Sequence, residues 1–320
     1  MDELTGLAER FEERRGPLLA LAYRMLGSLG EAEDAVQETW LKLARSDPNT
    51  IGNLGAWLRT VVSRVCLDML RARAARPEVP VGQQVPDAAG PGPAEAGGPE
   101  AEVLLADAVG RALLVVLDTL GPAERVAFVL HDLFAVPFAQ IAPLVDRSPA
   151  ATKKLASRAR HRVRGTPAVP GAGLGEQRAV VEAFLAAARQ GEMAGLLAVL
   201  APDVVRRSDP AALPAGAAAL LRGAEAVAQG TVLLGGRARY AQTALVDGAV
   251  GAVVAPLGRL RAALAFRCAG SRITAYEVIA DPARLAGLEL ALLDPVRSAS
   301  DGLGGARGPA PGPSGSQQFA

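Results

Sequence analysis

Between Lys153 and Arg164 the chain carries Lys153, Lys154, Arg158, Arg160, Arg162 and Arg164 and no acid. Cationic groups on one helix neutralise phosphates, and a helix of this charge can enter a major groove, its first turns at base edges and its later arginines on the backbone. At about 100° per residue, Lys153, Ser157 and Arg160 fall on one side, with Lys154 and His161 at its margin. Ala151, Leu155, Ala159 and Val163 fall towards the other. A solvated basic face on a structural hairpin is the alternative reading. A second constellation has the opposite sign: Glu31, Glu33, Asp34 and Glu38 make one helix acidic, while Val36, Trp40 and Leu41 set apolar surface on or beside that face. Such a helix repels nucleic acid and suits a basic protein surface, with Trp40 as anchor and the carboxylates as steering rim. Trp57, and equally Trp40, can also be read as core aromatics. A third set, Asp203, Asp209, Tyr240 and Tyr276, offers a carboxylate base and phenol donors for enol-type isomerisation. Asp203 reads equally as a helix-ending or capping residue of an Ala-Pro-Asp-Val turn.

The elements that must position these groups are legible from periodicity. Leu18, Leu19, Ala22 and Leu26 recur at helical spacing, and Ser28-Leu29-Gly30-Glu31 has the form of a capping box opening a helix to about Ala44. A turn-rich loop, Arg45 to Gly52, leads to a third helix from about Asn53 to Arg73, with Leu54, Trp57, Leu58, Val61, Val65 and Met69 on one stripe. The basic helix closes a helix-turn-helix: Pro137 opens a short helix to Val145, Asp146-Arg147 make the turn, and Ser148-Pro149 supply an N-cap and a first-turn proline. Beyond it, helices over 176–189 and 194–200 precede β-like runs at 249–255, 261–268 and 272–279, with hairpin signals at Asp247-Gly248 and Ala269-Gly270-Ser271, which reads as helices first and an antiparallel sheet after. Pro and Gly crowd residues 76–99 too densely for a helix or central strand. Gly165 to Gly171 reads as a second linker, and the Gly/Pro/Ser-rich end as disorder.

A chain of 320 residues is long enough for two or three domains at roughly 100 to 200 residues each. Lys and Arg number 34 against 33 Asp and Glu, so any basic surface must be local. Two cysteines, Cys66 and Cys268, and two histidines, His131 and His161, argue against a disulfide framework, a metal site or histidine acid/base chemistry after residue 161. No apolar run reaches the roughly 18 residues of a spanning helix, and the acidic start Met1-Asp2-Glu3-Leu4 is unlike a signal peptide. A cytoplasmic protein without metal or cofactor, and without a membrane partner, is expected.

Tyr23 to Ser28, Glu33-Asp34-Ala35-Val36-Gln37-Glu38-Thr39-Trp40-Leu41, Ala56-Trp57-Leu58 and Cys66-Leu67-Asp68-Met69-Leu70-Arg71 resemble region 2 of the extracytoplasmic-function sigma factors of bacterial RNA polymerase. Leu120 to Arg125 and the helix ending Leu155-Ala156-Ser157-Arg158-Ala159-Arg160 resemble region 4. Phe184 to Arg189 with Leu200-Ala201-Pro202-Asp203-Val204-Val205 are similar to a SnoaL-like domain of the NTF2-like cone fold. The order matches the SigJ-like group. The resemblance implies two all-α modules followed by an α+β cone: region 2 over 1–75, a linker over 76–101, region 4 over 102–165, a linker over 166–173, the SnoaL-like domain over 174–290, and a disordered tail over 291–320.

Site roles follow from the same resemblance. Asp34, Gln37, Glu38 and Trp40 would dock on the β′ clamp helices of core RNA polymerase. Asp47, Asn49 and Asn53 would surround a flipped base of the −10 element, with Arg59, Ser63 and Arg64 on the melting strand; capturing an unstacked base costs a few kcal/mol. Lys153, Lys154, Ser157, Arg158 and Arg160 would read the −35 element, and two half-recognitions joined by a linker gain affinity through effective concentration. Arg76 to Val81 and Asp281 to Leu285 stand where the group has interdomain motifs, so Glu78, Asp281, Pro282 and Leu285 would carry regulation between domains. The tail domain is expected to sense a small ligand or to control the sigma core in cis. The rival readings are a SnoaL-like enzyme whose helices only localise it and a ligand-responsive repressor that uses the helix-turn-helix without polymerase.

Overall fold

A computed structural model describes residues 2–47, 50–75, 110–166, 171–233 and 235–293. The linker over 76–101, with Glu78, lies outside the described residues, as do Asn49 and 294–320.

Three helices form the first module: α1 (Asp2–Leu26), α2 (Leu29–Ala44) and α3 (Leu54–Ala75). In α1 the buried Leu7, Phe11, Leu18, Leu21, Ala22 and Met25 keep a helical stripe. Pro17 interrupts the sequence but not the helix, because it lies on the exposed face, where the carbonyl it leaves unpaired meets water. The expected capping box at α2 does not form. Ser28 holds the N-cap position without a side-chain hydrogen bond, and Glu31 pairs instead with Arg73 at the far end of α3. Asn53 caps α3, its Oδ1 accepting from Ala56 N at 3.0 Å. Along α3 the buried stripe is Leu54, Leu58, Val62, Cys66, Leu67 and Leu70, and Trp57 is half-buried beside it. Losing the side chain at a site such as Leu58 would cost about 2 to 5 kcal/mol.

The second module comprises α4 (Arg111–Asp118), α5 (Pro122–Phe128) continued by a π-helical turn (Val129–Leu133), α6 (Phe138–Ile141) and α7 (Pro149–Arg164). The helix-turn-helix forms, with its first helix ending at Ile141 rather than at Val145; Asp146 supplies the left-handed residue (φ 54°), a conformation short polar side chains tolerate. Ser148 accepts from Ala151 N at 3.2 Å to cap α7.

The third module is α+β. Helices α8 (Gly171–Gln190) and α9 (Met193–Val199) are followed by β1 (Leu200–Ser208), β2 (Leu220–Arg222), α10 (Ala224–Leu233), α11 (Gly235–Ala238), β3 (Ala241–Val246), β4 (Ala249–Val254), β5 (Ala262–Ala269), β6 (Arg272–Ile279), α12 (Pro282–Ala286) and β7 (Leu290–Ala291). The sheet order is β2-β1-β6-β5-β4-β3-β7. Asp247 (φ 50°) and Gly248 (φ 76°) make the tight hairpin of β3 and β4, as positive φ at both turn positions requires. Two expectations are corrected. The sheet is not wholly antiparallel, since β1 runs parallel to β6. Asp203 is an exposed strand residue of β1 and caps no helix; β1 begins directly where α9 ends, and the Ala-Pro-Asp-Val segment is the stretch over which its register with β6 shifts.

Two apolar clusters hold the molecule. One lies inside the third module, where Val181, Phe184, Leu196, Val204, Phe266 and Tyr276 meet between helices and sheet; Phe184, Phe266 and Tyr276 form an aromatic trio with centroids 5.3 to 5.4 Å apart. The other runs through both helical modules and continues onto Ala244, Val246, Val253, Ala263 and Leu290 of the sheet. Among the described residues the three modules therefore pack as one body. The buried Arg125 joins the first two, donating from Nη1 to Met25 O at 3.0 Å and from Nη2 to Asp118 Oδ1 at 2.6 Å. Arg71 adds a bond to Asp146 at 3.4 Å.

Candidate nucleic-acid interface

Helix α7 buries Thr152, Ala156, Ala159 and Val163 and leaves Lys153, Lys154, Ser157, Arg158, His161, Arg162 and Arg164 exposed. Four of the five residues expected at the −35 element thus share an outward surface. Arg160 does not. It is half-buried and its Nε lies 2.9 Å from Oδ1 of the buried Asp132, because that carboxyl, pushed up by desolvation and pulled back by Arg160 and His131, needs a cation beside it. Glu124, at the start of α5, holds two more arginines: its Oε1 is 3.5 Å from Arg158 Nε and its Oε2 2.9 Å from Arg162 Nη1. Neither Glu124 nor Asp132 belongs to the predicted set. The signal that could have found them is the absence of any acid on the basic helix itself, which leaves its counter-charges to neighbouring elements.

The end of α7 and the whole of α4 rest on the third module. Leu292 N donates to Val163 O at 2.8 Å, and Ala112 N donates to Gln242 Oε1 at 2.7 Å. The Arg111 guanidinium stands 5.6 Å from the Tyr240 ring centroid. Two glycines make the close approach possible. At Gly165 (φ 58°) an added Cβ would lie 2.4 Å from Ala291 Cβ, and at Gly258 (φ 74°) 2.6 Å from Leu114 Cδ1, so neither space nor backbone conformation admits a side chain.

The acidic face of α2 is open. Asp34 and Gln37 are exposed and, with Glu33, Val36 and Trp40, line a groove of about 410 Å³ whose other wall is Phe11, Glu12 and Arg15 of α1. Trp40 serves both readings. It packs on Phe11 at 5.1 Å and still faces the groove. Glu38 lies off the groove, paired with Lys42 at 3.0 Å.

Of the residues expected at the −10 element, Arg59 and Arg64 are exposed on α3 and Asp47 in the loop before it. Asn53 is exposed, with its carbonyl oxygen engaged in the helix cap. Ser63 is the correction: it is fully buried, on the stripe of α3 that faces the module core, and cannot reach a strand from there. Of the interdomain set, Asp281 Oδ1 caps α12 through Arg284 N at 3.0 Å, Pro282 is exposed, and Leu285 packs against the cluster that contains the helical modules.

The supposed isomerase residues do not converge. Tyr240 and Tyr276 line a cavity in the third module, but neither Asp203 nor Asp209 does. Asp209 accepts from Ala280 N (3.0 Å), Asp281 N (3.1 Å) and Arg284 Nη1 (2.5 Å). Burial alone would raise its carboxyl, but these donors hold it below the ordinary value. Among the described residues no helix is long and apolar enough to cross a membrane, and no group of three or more His, Cys, Asp or Glu could hold a metal.

Comparison with known proteins agrees with the geometry of the helical modules. Residues 10–76 match the family model for sigma-70 region 2, and residues 110–163 the model for sigma-70 region 4. The chain is 39% identical over 276 residues, 84% of its length and 86% of the relative's, to the ECF RNA polymerase sigma factor SigJ of Mycobacterium tuberculosis. It is 36% identical to the probable ECF RNA polymerase sigma factor SigI of the same organism, over 65% of this chain and 72% of the relative. The crystal structure of the Mycobacterium tuberculosis extracytoplasmic function sigma factor SigJ aligns at 31% identity and a TM-score of 0.42, covering 88% of this chain and 98% of that one.

Proposed function

The chain belongs to the ECF sigma factors of RNA polymerase, which direct promoter-specific transcription initiation, and from that premise we propose how its surfaces divide the work. Core RNA polymerase and promoter DNA are its partners. The groove of Asp34, Gln37 and Trp40 docks the β′ clamp helices, with Glu38 contacting them from outside the groove. The exposed Asp47, Asn53, Arg59 and Arg64 serve the −10 element, and Lys153, Lys154, Ser157 and Arg158 the −35 element. Region 2 ends near residue 75 and region 4 near 165. The module that follows works by binding and control in cis.

The observation that carries control in cis is the seating of region 4: the last turn of α7 and the buried helix α4 are both hydrogen-bonded to the C-terminal module, through Leu292 and Gln242. A module that grips region 4 in one arrangement shifts the population able to engage a promoter, by as much as its contacts differ between arrangements. The test is promoter-dependent transcription by bacterial core polymerase with four proteins: the full chain, the chain without residues 174–320, Gly258→Glu, and Asp34→Ala with Trp40→Ala. The deletion and Gly258→Glu change transcript yield and keep polymerase binding, and the double variant loses polymerase binding. Unchanged yield from both the deletion and Gly258→Glu would overturn control in cis. Full binding by the double variant would overturn the docking face.

A further inference from the structure

We infer that the C-terminal module binds a small organic anion, a carboxylate on a single-ring hydrocarbon body, with Arg206 as the residue that takes its charge. The cavity measures about 110 Å³, is walled by apolar side chains such as Phe184, Leu185, Val254 and Leu264, and has no acidic residue in its lining. That is smaller than an apolar cavity of about 150 Å³ that takes up benzene, so the body can be no larger than one ring.

Arg206 is the anomaly. The inner face of β1 presents Val204, Arg206 and Ser208 in alternation, and Arg206 is only 3% exposed. Its Nε and Nη1 are buried with no hydrogen-bond partner, and no carboxylate among the described residues pairs with it. A guanidinium cannot shed its proton to escape burial, and a buried charge is ordinarily paired. Space is nevertheless kept for it: an added Cβ on Gly230 would lie 2.9 Å from Arg206 Nη1.

The two hydroxyls nearest to Arg206 are already committed to each other. Thr231 Oγ1 lies 2.7 Å from Val227 O, and a carbonyl only accepts, so the threonine proton goes there. The 2.8 Å contact between Thr231 and Tyr276 is then made by the tyrosine donating. Its phenol, raised by burial and drawn back by Thr231 and by the charge of Arg206 and a hydrogen bond from it, has spent its proton. What stays unused between these groups is the donor capacity of Arg206 Nε and Nη1. A carboxylate matches the guanidinium fork and brings the counter-charge that a neutral isostere lacks. Arg237, whose Nη1 donates to Ala212 O at 2.7 Å, and Arg261 are also in the lining.

The test uses the full-length chain, isothermal titration calorimetry and thermal melting, with benzoate as probe and benzamide as its neutral isostere. Binding is read without polymerase or DNA, so it stands or falls apart from control in cis. Benzoate binds saturably and raises the melting temperature, and benzamide binds at least tenfold more weakly. Arg206→Met erases that preference and melts no lower than the unliganded parent, since an unpaired buried charge has been removed. Val254→Phe, which fills the cavity and leaves Arg206 in place, abolishes benzoate binding. Equal affinity for benzoate and benzamide, absence of benzoate binding, or a preference that survives either variant would overturn the proposal.

Discussion

Glu124 competes with DNA for two arginines of the recognition helix, and replacing it by glutamine should be measurable as a change in salt dependence. Its side chain is 15% exposed, whereas those of Arg158 and Arg162 are 66% and 48% exposed. Each arginine must leave Glu124, or share it, before it neutralises a phosphate. Exposed pairs of this kind are worth about 0 to 1 kcal/mol each, so Glu124→Gln should tighten binding by up to about 2 kcal/mol, or roughly 30-fold, at low salt. Every phosphate contact released from competition steepens the plot of log affinity against log salt by about 0.9, and two give about 1.8. Phosphate contacts carry no base information, so the gain should be equal for a −35 duplex and for a scrambled one. The assay is fluorescence anisotropy with both duplexes over a salt series, with a thermal melt showing that the variant is folded. An unchanged slope, or weaker binding, would refute the reasoning and mean that Glu124 aims the arginines instead of withholding them.

Ser63→Ala removes a buried hydroxyl whose Oγ has no partner; stability by denaturant titration should rise by about 1 kcal/mol, and affinity for a −10 single strand should not change. Asp209→Asn should cost about 1 to 3 kcal/mol at neutral pH, since three donors converge on the carboxylate and hydrogen bonds to charged acceptors are the stronger kind. Because the folded carboxyl lies below its ordinary value, its contribution is complete above the ordinary aspartate pKa and is lost as pH falls through the folded one. The gap between parent and variant in a pH series of melts should therefore close on acidification.

What could be read from the chain alone followed the strength of the local signal. The helix-turn-helix was legible because Asp146, Ser148 and Pro149 each impose a backbone geometry on their own residue or its neighbour. The acidic groove was legible in Asp34, Gln37 and Trp40 through charge and one aromatic. Ser63, placed at the melting strand by resemblance, turns into the α3 packing, and Arg160, placed outward by helical phase, turns towards Asp132; neither signal says which neighbour an edge residue meets. Strand β1 escaped notice because Pro202 and Asp203 read as a turn and its parallel partner is β6, a pairing between segments some seventy residues apart. The same distance hides Arg206, an ordinary surface arginine by composition, whose burial comes only from the sheet and helices closing over it.

Strand β7 is the last of the described strands, and Leu292 just beyond it supplies the bond to the end of α7. Translation gives this arrangement a direction in time. Domains fold from the N-terminus as they emerge, at roughly 5 to 20 residues per second, so the recognition helix is complete on the order of ten seconds before the strand that seats it leaves the ribosome. During that interval α4 has nothing to cover the apolar surface that will face the sheet. A nascent chain stalled before residue 290 would present region 4 ungripped, and every finished molecule begins its life by closing that grip.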